Sequence, residues 1–304
     1  MKLRGIYMAA VTPLRHDNSI DVDYLAAHCR WGVENGAHGV SLFGTTGEGN
    51  SFSVAERRDA LDEVVALGVD PAAILPGAGA CALDDTADTI LQAVSLGCPA
   101  VLVMPPFYYK DVTDDGVFRS YADTIEKVGD PRLKVLLYNI PQLTHIAITP
   151  SLLERLATAY PDTLVGVKDS AGSWEDTLVL LRNFPDLSIF TGLDSHLQDL
   201  LMNGGAGLIG GMANINPMDE RAIFDAYNRP ETKAITASAS RLLDIVDSGP
   251  GIQGLKYLLA HFRHDPAWRR VRPPLQPLEE TASTCLVEAF EAAGYRYPDV
   301  PKVA

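Results

Sequence analysis

Short apolar runs rich in β-branched residues alternate with longer stretches of helical period along most of this chain. Eight runs are predicted to be strands, over residues 6–11, 39–43, 73–77, 100–104, 134–138, 164–167, 188–190 and 207–210. Parallel strands joined by helices produce such an alternation. Eight strand–helix units in succession predict an α/β fold of the (β/α)8 TIM-barrel type. A doubly wound dinucleotide-binding sheet is disfavoured because no G-x-G-x-x-G follows the first strand.

Polar caps mark the predicted helix starts. Ser53 to Glu56 forms a capping box, and Thr149 precedes a first-turn proline. Further starts are predicted at Asp21, Asp84, Asp114 and Ser173. Beyond residue 229, helical runs over 234–246, 252–262 and 278–293 are separated by glycine and proline. We therefore expect a catalytic barrel over residues 1–229 and a C-terminal helical extension over residues 230–304.

The composition and charge of the chain argue against several classes of partner. The net charge of the 304-residue chain is −14, which leaves no basic stripe to neutralise nucleic-acid phosphates or an anionic membrane. No apolar run approaches the ~20 residues that cross a bilayer, and the N-terminus resembles no signal peptide, so a cytoplasmic location is expected. The four cysteines form no C-x-x-C pair, and His261 and His264 lack further ligands nearby. Neither a disulfide nor a metal site is predicted.

Three predicted strand ends carry polar groups, and in a TIM barrel these ends face the active site. The second leads into Gly-Thr-Thr-Gly-Glu-Gly at residues 44–49, a turn whose hydroxyls and backbone N–H groups suit a carboxylate. The fifth ends at Tyr138 and the sixth at Lys168. Burial of Lys168 would favour its neutral, nucleophilic form. Taken singly, these features also fit a tight turn, a packing tyrosine and a lysine whose stem alone is buried. Together they offer a 2-oxo acid an anion site, a proton relay and an amine nucleophile.

The chain resembles the dihydrodipicolinate synthase / N-acetylneuraminate lyase family of class I aldolases. The motifs that carry the resemblance are G-T-T-G-E at residues 44–48, Y-N-I-P at 138–141 and V-G-V-K-D-S at 165–170. The resemblance runs from residue 5 to about residue 216 and weakens through the C-terminal helices. It implies that Lys168 forms a Schiff base with C2 of pyruvate or a related 2-oxo acid, while Tyr138 shuttles protons.

The resemblance also implies the surrounding roles. Thr45 would link the hydroxyl relay to a tyrosine donated by an adjacent subunit, for which Tyr108 is the best match and Tyr109 an alternative. It thus implies a homo-oligomer, commonly a tetramer built as a dimer of dimers. The substrate carboxylate would be held by Thr46 and neighbouring backbone amides such as that of Gly47. Ile209 would contact pyruvate through its backbone. Glu48 would shape the turn, and no cofactor is implied.

One position departs from the pattern of the synthases. They carry an arginine shortly after Y-N-x-P, where this chain has Leu143, and an isobutyl group cannot replace a bidentate guanidinium. Leu143 therefore resembles the sugar-acid branches of the family, although Thr45 resembles the synthase branch. Gln142 and His145 are then candidates for contacts with substrate hydroxyls, or ordinary surface-loop residues.

These observations predict a pyruvate-dependent aldolase acting on a 2-keto-3-deoxy sugar acid or a similar 2-oxo acid. Three alternatives stay open: a Schiff-base dehydratase, a 4-hydroxy-tetrahydrodipicolinate synthase, which Leu143 disfavours, and a non-catalytic protein that binds 2-oxo acids.

Overall fold

A computed structural model of the chain describes residues 2–249 and 251–298. Within these residues, eight parallel strands pair in the order β3-β2-β1-β8-β7-β6-β5-β4. A parallel bridge between Gly77 and Leu102 joins the two outer strands and closes the barrel. The strands are β1 (Gly5–Ala9), β2 (Gly39–Leu42), β3 (Ile74–Pro76), β4 (Val101–Val103), β5 (Val135–Asn139), β6 (Leu164–Asp169), β7 (Ser188–Thr191) and β8 (Gly207–Gly210). The predicted (β/α)8 barrel is confirmed.

Helices alternate with the strands and then continue alone. Those of the barrel are α1 (Val22–Glu34), α2 (Val54–Ala66), α3 (Leu83–Leu96), α4 (Asp114–Val128), α5 (Pro141–Thr144), α6 (Pro150–Ala159), α7 (Trp174–Asn183), α8 (Asp194–Met202) and α9 (Pro217–Ala226). The C-terminal helices are α10 (Thr232–Asp247), α11 (Gly251–Phe262) and α12 (Glu280–Ala292). None of the described helices combines the length and apolar character needed to cross a membrane.

The predicted caps are largely confirmed. The side chains of Asp21 and Ser173 accept hydrogen bonds from the first turns of α1 and α7, and the capping box that opens α2 is complete. Two starts differ by a residue: α3 begins at Leu83, and the cap of α4 is Thr113. Strand β6 continues through Asp169, so Lys168 lies inside a strand whose hydrogen bonds fix its backbone.

Inward-facing side chains from alternate strand positions fill the barrel. Tyr7, Leu102, Tyr138, Phe190 and Ile209 belong to one buried cluster. Lys168 is the register partner of both Tyr138 and Phe190. Because residues paired in register share a face of the sheet, Lys168 also points into the barrel.

The C-terminal helices pack on the barrel where β1 and β8 end. Val11, which follows β1, and Met212, which follows β8, share an apolar cluster with Leu258 and Phe290 of the extension. Helix α10 packs against α8 and α9. The extension therefore contacts the end of the barrel that carries the candidate site, and the domain division at residue 230 stays a prediction.

Candidate active site

Lys168 and Tyr138 lie side by side at the carboxyl ends of two paired strands. Both are buried, at 5% exposure each. The Lys168 Nζ atom lies 4.3 Å from the centroid of the Tyr138 ring. A Cβ built at Gly192, just after β7, would lie 3.3 Å from Lys168 Cε and only 2.1 Å from Ser170 Oγ. The absence of a side chain at Gly192 therefore leaves the space in which Lys168 lies.

The phenol of Tyr138 reaches across the barrel mouth to a different strand end. Its hydroxyl donates to Thr45 Oγ1 at 3.3 Å. Thr45 follows β2, so this hydrogen bond joins residues 93 positions apart in sequence. An amine against the face of a phenol and a phenol hydrogen-bonded to a hydroxyl thus lie together, and this arrangement can both attack a carbonyl carbon and move protons beside it.

The turn at residues 44–49 is held in an unusual backbone conformation. Glu48 has a φ of 55°, a left-handed conformation that is uncommon for a residue with a side chain. A Cβ at Gly49 would lie 1.8 Å from the Phe43 carbonyl oxygen, so only glycine fits there. The Thr12 hydroxyl donates to the Gly47 carbonyl at 2.7 Å. A hydrogen bond from the loop after β1 and the close approach of the Phe43 backbone therefore fix the shape of this turn.

Three successive backbone donors of the turn have no partner in the part of the chain that the structure describes. Within the described residues, the N–H groups of Thr45, Thr46 and Gly47 donate to no protein acceptor. A Cβ built at Gly211, which follows β8, would lie 3.5 Å from Thr46 Oγ1, so the Thr46 side chain sits beside the end of β8. Successive unpaired N–H groups with an adjacent hydroxyl can hold a carboxylate.

Two residues that the sequence reasoning did not assign hold the nucleophile's strand. The carboxylate of Asp169 accepts from Asn139 Nδ2 at 2.9 Å, from the Ala171 N–H at 3.2 Å and from Thr177 Oγ1 at 2.7 Å. Asn139 Oδ1 in turn accepts from the Ile148 N–H at 2.9 Å. The ends of β5 and β6 are therefore locked together directly beside Tyr138 and Lys168. The signal was present, since both residues lie inside the quoted motifs.

A buried ion pair lies behind the turn. Glu48 and Lys256 of α11 form a salt bridge, and both side chains are fully buried. The second Glu48 oxygen accepts the Arg272 backbone N–H at 2.7 Å. Burial lowers the pKa of Lys256, an effect that the Glu48 carboxylate opposes. The expectation that Glu48 shapes the turn is consistent with these contacts, but sequence reasoning missed Lys256, whose spacing from Glu48 carries no local signal.

The residues after Y-N-I-P form the short helix α5. Leu143 is 56% exposed on it. Gln142 Nε2 donates to the Ser170 carbonyl at 2.7 Å, which ties α5 to the end of β6. His145 follows α5 in a left-handed conformation. Gln142 therefore has a structural partner, whereas the role of Leu143 and His145 toward a substrate stays a prediction.

Tyr108 and Tyr109 lie apart from the Lys168 cluster in this single chain. They are 72% and 75% exposed, and their rings make an edge-to-face contact with centroids 5.2 Å apart. Among the described residues, neither phenol is hydrogen-bonded to Thr45. Ile209, by contrast, is fully buried in β8. No group of three or more described His, Cys, Asp or Glu side chains is arranged to hold a metal.

Comparisons with known proteins place this geometry in a family. The model described as the Dihydrodipicolinate synthetase family matches residues 2–293. An uncharacterized DapA-like lyase of Chloroflexus aurantiacus is 36% identical over 95% of this chain and 96% of its own length. The structure of dihydrodipicolinate synthase from Agrobacterium tumefaciens has a TM-score of 0.89 at 33% identity, covering 95% and 99% of the two chains. A 2-keto-3-deoxygluconate aldolase variant of Sulfolobus solfataricus, with a TM-score of 0.85 at 21% identity and 95% coverage of each chain, shares the fold. The chain therefore belongs to the dihydrodipicolinate synthetase family and is a carbon–carbon lyase.

Proposed function

We propose that this lyase is a pyruvate-dependent class I aldolase that cleaves a 2-keto-3-deoxy sugar acid or a similar 2-oxo acid. The observation that carries the proposal is the contact of Lys168 Nζ with the Tyr138 ring, together with the hydrogen bond of that tyrosine to Thr45. An amine nucleophile beside a hydroxyl relay is what Schiff-base catalysis requires.

In the proposed reaction, the carboxylate of the substrate binds the N–H groups of the turn at residues 44–49 and the Thr46 hydroxyl. The Lys168 amine adds to C2, and the carbonyl oxygen leaves as water. The C4 hydroxyl then gives its proton to the Tyr138 relay while the C3–C4 electron pair moves to the iminium, so an aldehyde departs. The enamine takes a proton at C3, and hydrolysis releases pyruvate and restores the Lys168 amine.

The sugar-acid half of the proposal rests on Leu143. Its side chain is exposed on α5, directly after the strand that carries Tyr138. A neutral side chain there offers no partner for a second substrate carboxylate, whereas it is compatible with a hydroxylated chain. This supports a substrate whose only carboxylate is the one beside C2.

Borohydride trapping tests the nucleophile. Wild-type protein incubated with pyruvate and borohydride should gain one reduced adduct, which peptide mass spectrometry assigns to Lys168. The Lys168→Met variant should gain none, and Lys134→Met, which changes a half-buried lysine near the opposite end of β5, should trap like wild type. A wild-type protein without an adduct at Lys168 would refute the proposal.

A panel of substrates tests which aldehyde portion of the 2-oxo acid the enzyme accepts. A series of 2-keto-3-deoxy acids assayed for pyruvate should identify at least one that yields pyruvate plus an aldehyde. Formation of a dehydrated acid without release of pyruvate would instead indicate a dehydratase. Trapping of pyruvate without turnover of any acid would indicate a binding protein.

A second candidate is a 4-hydroxy-tetrahydrodipicolinate synthase. The 33% identity to the Agrobacterium synthase favours it, and Leu143 argues against it. Condensation of pyruvate with aspartate semialdehyde at a rate above that of the best sugar acid would establish the synthase. A Leu143→Arg variant should increase that activity if the missing guanidinium is the reason for its absence.

The exposed tyrosine pair also supports an oligomer. We infer that Tyr108, or its neighbour Tyr109, enters the site of an adjacent subunit and extends the relay at Thr45, within a tetramer built as a dimer of dimers. Two phenols exposed side by side at a barrel rim are suited to burial against another chain. Sedimentation of the protein as a monomer would contradict this part of the proposal.

A further inference from the structure

We infer that Lys256, in the C-terminal extension, is a positioning residue for the substrate carboxylate. It acts through Glu48 on the turn at residues 44–49. The inference rests on the proposed function, because it concerns how the same turn binds a 2-oxo acid. It assigns the extension a part in the reaction, although none of its side chains is proposed to touch the substrate.

The first observation is that both carboxylate oxygens of Glu48 have a partner in the C-terminal extension. Glu48 uses one carboxylate oxygen on Lys256 Nζ and the other on the Arg272 N–H, which lies 2.7 Å away. The Lys256 and Glu48 side chains are both fully buried. An isolated charge would be strongly destabilised at such a depth, so each group constrains where the other can lie.

The second observation is the strain of the turn itself. Glu48 holds a left-handed backbone conformation, and the Thr45 carbonyl accepts its N–H at 3.0 Å. Such a conformation persists in a residue with a side chain only where surrounding contacts impose it. The bond between Lys256 and Glu48 is one such contact, and in the same turn the N–H groups of Thr45 and Thr46 donate to no described protein acceptor.

Helix α11 meets the site at a second point. Leu255, next to Lys256, has a side-chain carbon 3.2 Å from the position of a Cβ at Gly211, and Thr46 Oγ1 lies 3.5 Å from the same position. Arg272 also donates to the Ser51 carbonyl at 3.0 Å and to Glu56 at 2.6 Å. The extension therefore contacts the turn at residues 44–49, the segment from Ser51 to Glu56 that follows it, and the end of β8.

This arrangement predicts a specific kinetic consequence. A group that fixes the shape of the turn at residues 44–49 should change the pyruvate concentration at which Schiff-base formation is half-saturated. It should affect the rate at saturation much less, because Lys168 and the Tyr138 ring are carried by β6 and β5, and the turn contributes only the Thr45 hydroxyl to the relay.

The experiment measures borohydride trapping of the full-length protein against pyruvate concentration. In Lys256→Met, the half-saturating concentration should rise about tenfold or more, with the saturated trapping rate within about threefold of wild type. The isosteric variant Glu48→Gln should raise it in the same direction. The double variant should be no worse than Lys256→Met alone, because residues that act through one contact are not additive.

The matched control is Leu259→Ala, which removes buried side-chain volume from the same helix without touching the turn. It should lower the melting temperature yet leave half-saturation within about twofold of wild type. Equal shifts in Lys256→Met and Leu259→Ala, or unchanged half-saturation in Lys256→Met, would overturn the inference. If Lys256→Met does not fold, Glu48→Gln decides by the same criterion. Failure of wild type to trap pyruvate would instead refute the proposed function.

Discussion

At the scale of single residues, the function depends on which atoms of Tyr138 are used. The ring supplies a face to Lys168 Nζ, and the hydroxyl supplies a hydrogen bond to Thr45. Packing alone would need only the ring. The hydrogen bond across the barrel mouth is what makes this tyrosine more than a core residue.

The Tyr138→Phe variant separates these two uses. It keeps the ring but removes the relay, so we expect kcat for aldol cleavage to fall by about 10²–10⁴. Folding should be nearly unchanged. Tyr121→Phe is the control, since it removes another buried hydroxyl, the donor to the Val103 carbonyl, away from the site. Steady-state kinetics and thermal melting of both variants check the prediction, which a fully active Tyr138→Phe enzyme would contradict.

Two glycines of the carboxylate turn should respond differently to alanine. A Cβ at Gly49 would overlap the Phe43 carbonyl, whereas a Cβ at Gly44 meets no atom within 4 Å. We expect Gly49→Ala to lower the free energy of unfolding by about 2–4 kcal/mol. Gly44→Ala should change it by less than about 1 kcal/mol. Chemical denaturation of the two variants measures the difference, and similar losses would show that the overlap is relieved at little cost.

At the scale of elements, α8 and α9 each carry a buried carboxyl group. Asp194 is the first residue of α8, and Glu220 lies in α9. Burial raises the pKa of Asp194 to about 6. Burial, reinforced by the charge of Asp194, raises the pKa of Glu220 well above its usual range. Glu220 therefore keeps its proton when Asp194 ionises.

This pair makes stability depend on pH in a definite direction. The folded chain binds protons that the unfolded chain releases near pH 4, so the free energy of unfolding falls as pH rises through the raised pKa values. Glu220→Gln mimics the protonated acid and should raise that free energy by about 1–3 kcal/mol at pH 8. At pH 4 it should have little effect. Denaturation curves at both pH values test this, with Glu63→Gln, at an exposed position of α2, as the control. An equal effect of Glu220→Gln at pH 4 and pH 8 would contradict the assignment.

At the scale of the whole molecule, a single barrel carries the proposed nucleophile Lys168 and the hydroxyls of Tyr138 and Thr45. The tyrosine proposed to complete the proton relay lies on its surface. Tyr108 is exposed, and the proposed assembly would bury it beside Thr45 of another subunit. If two chains build each site, two variants that are inactive alone should restore activity when they are mixed, which a site within a single chain would not allow.

Mixing two inactive variants should restore activity. Lys168→Met and Tyr108→Phe, co-refolded in equal amounts, form hybrid pairs in which one site has both its own Lys168 and the neighbour's Tyr108. Random pairing should return about a quarter of wild-type activity. Replacing Tyr108→Phe by Tyr109→Phe identifies which tyrosine is used. If Tyr108→Phe alone is inactive and mixing recovers nothing, the donated-tyrosine role would be wrong.

Much of the barrel follows from local signals. The eight strands and the caps at Asp21 and Ser53 were predictable because hydrophobic period and capping chemistry act over a few residues. The limits of β6 were less so: Asp169 continues the strand because its backbone pairs in register with Asn139 of β5 and Thr191 of β7, which lie elsewhere in the sequence. Strand ends are decided by such distant partners.

By itself, the sequence determined the barrel and the residue types at its strand ends, including Lys168, Tyr138 and the turn around Thr45. The tertiary structure decided how they meet: the hydroxyl of Tyr138 on Thr45, Gly192 beside Lys168, and Lys256 on Glu48. Period and capping depend on neighbours along the chain. These contacts join strand ends and helices that are far apart in sequence, so only closure of the barrel brings their atoms together.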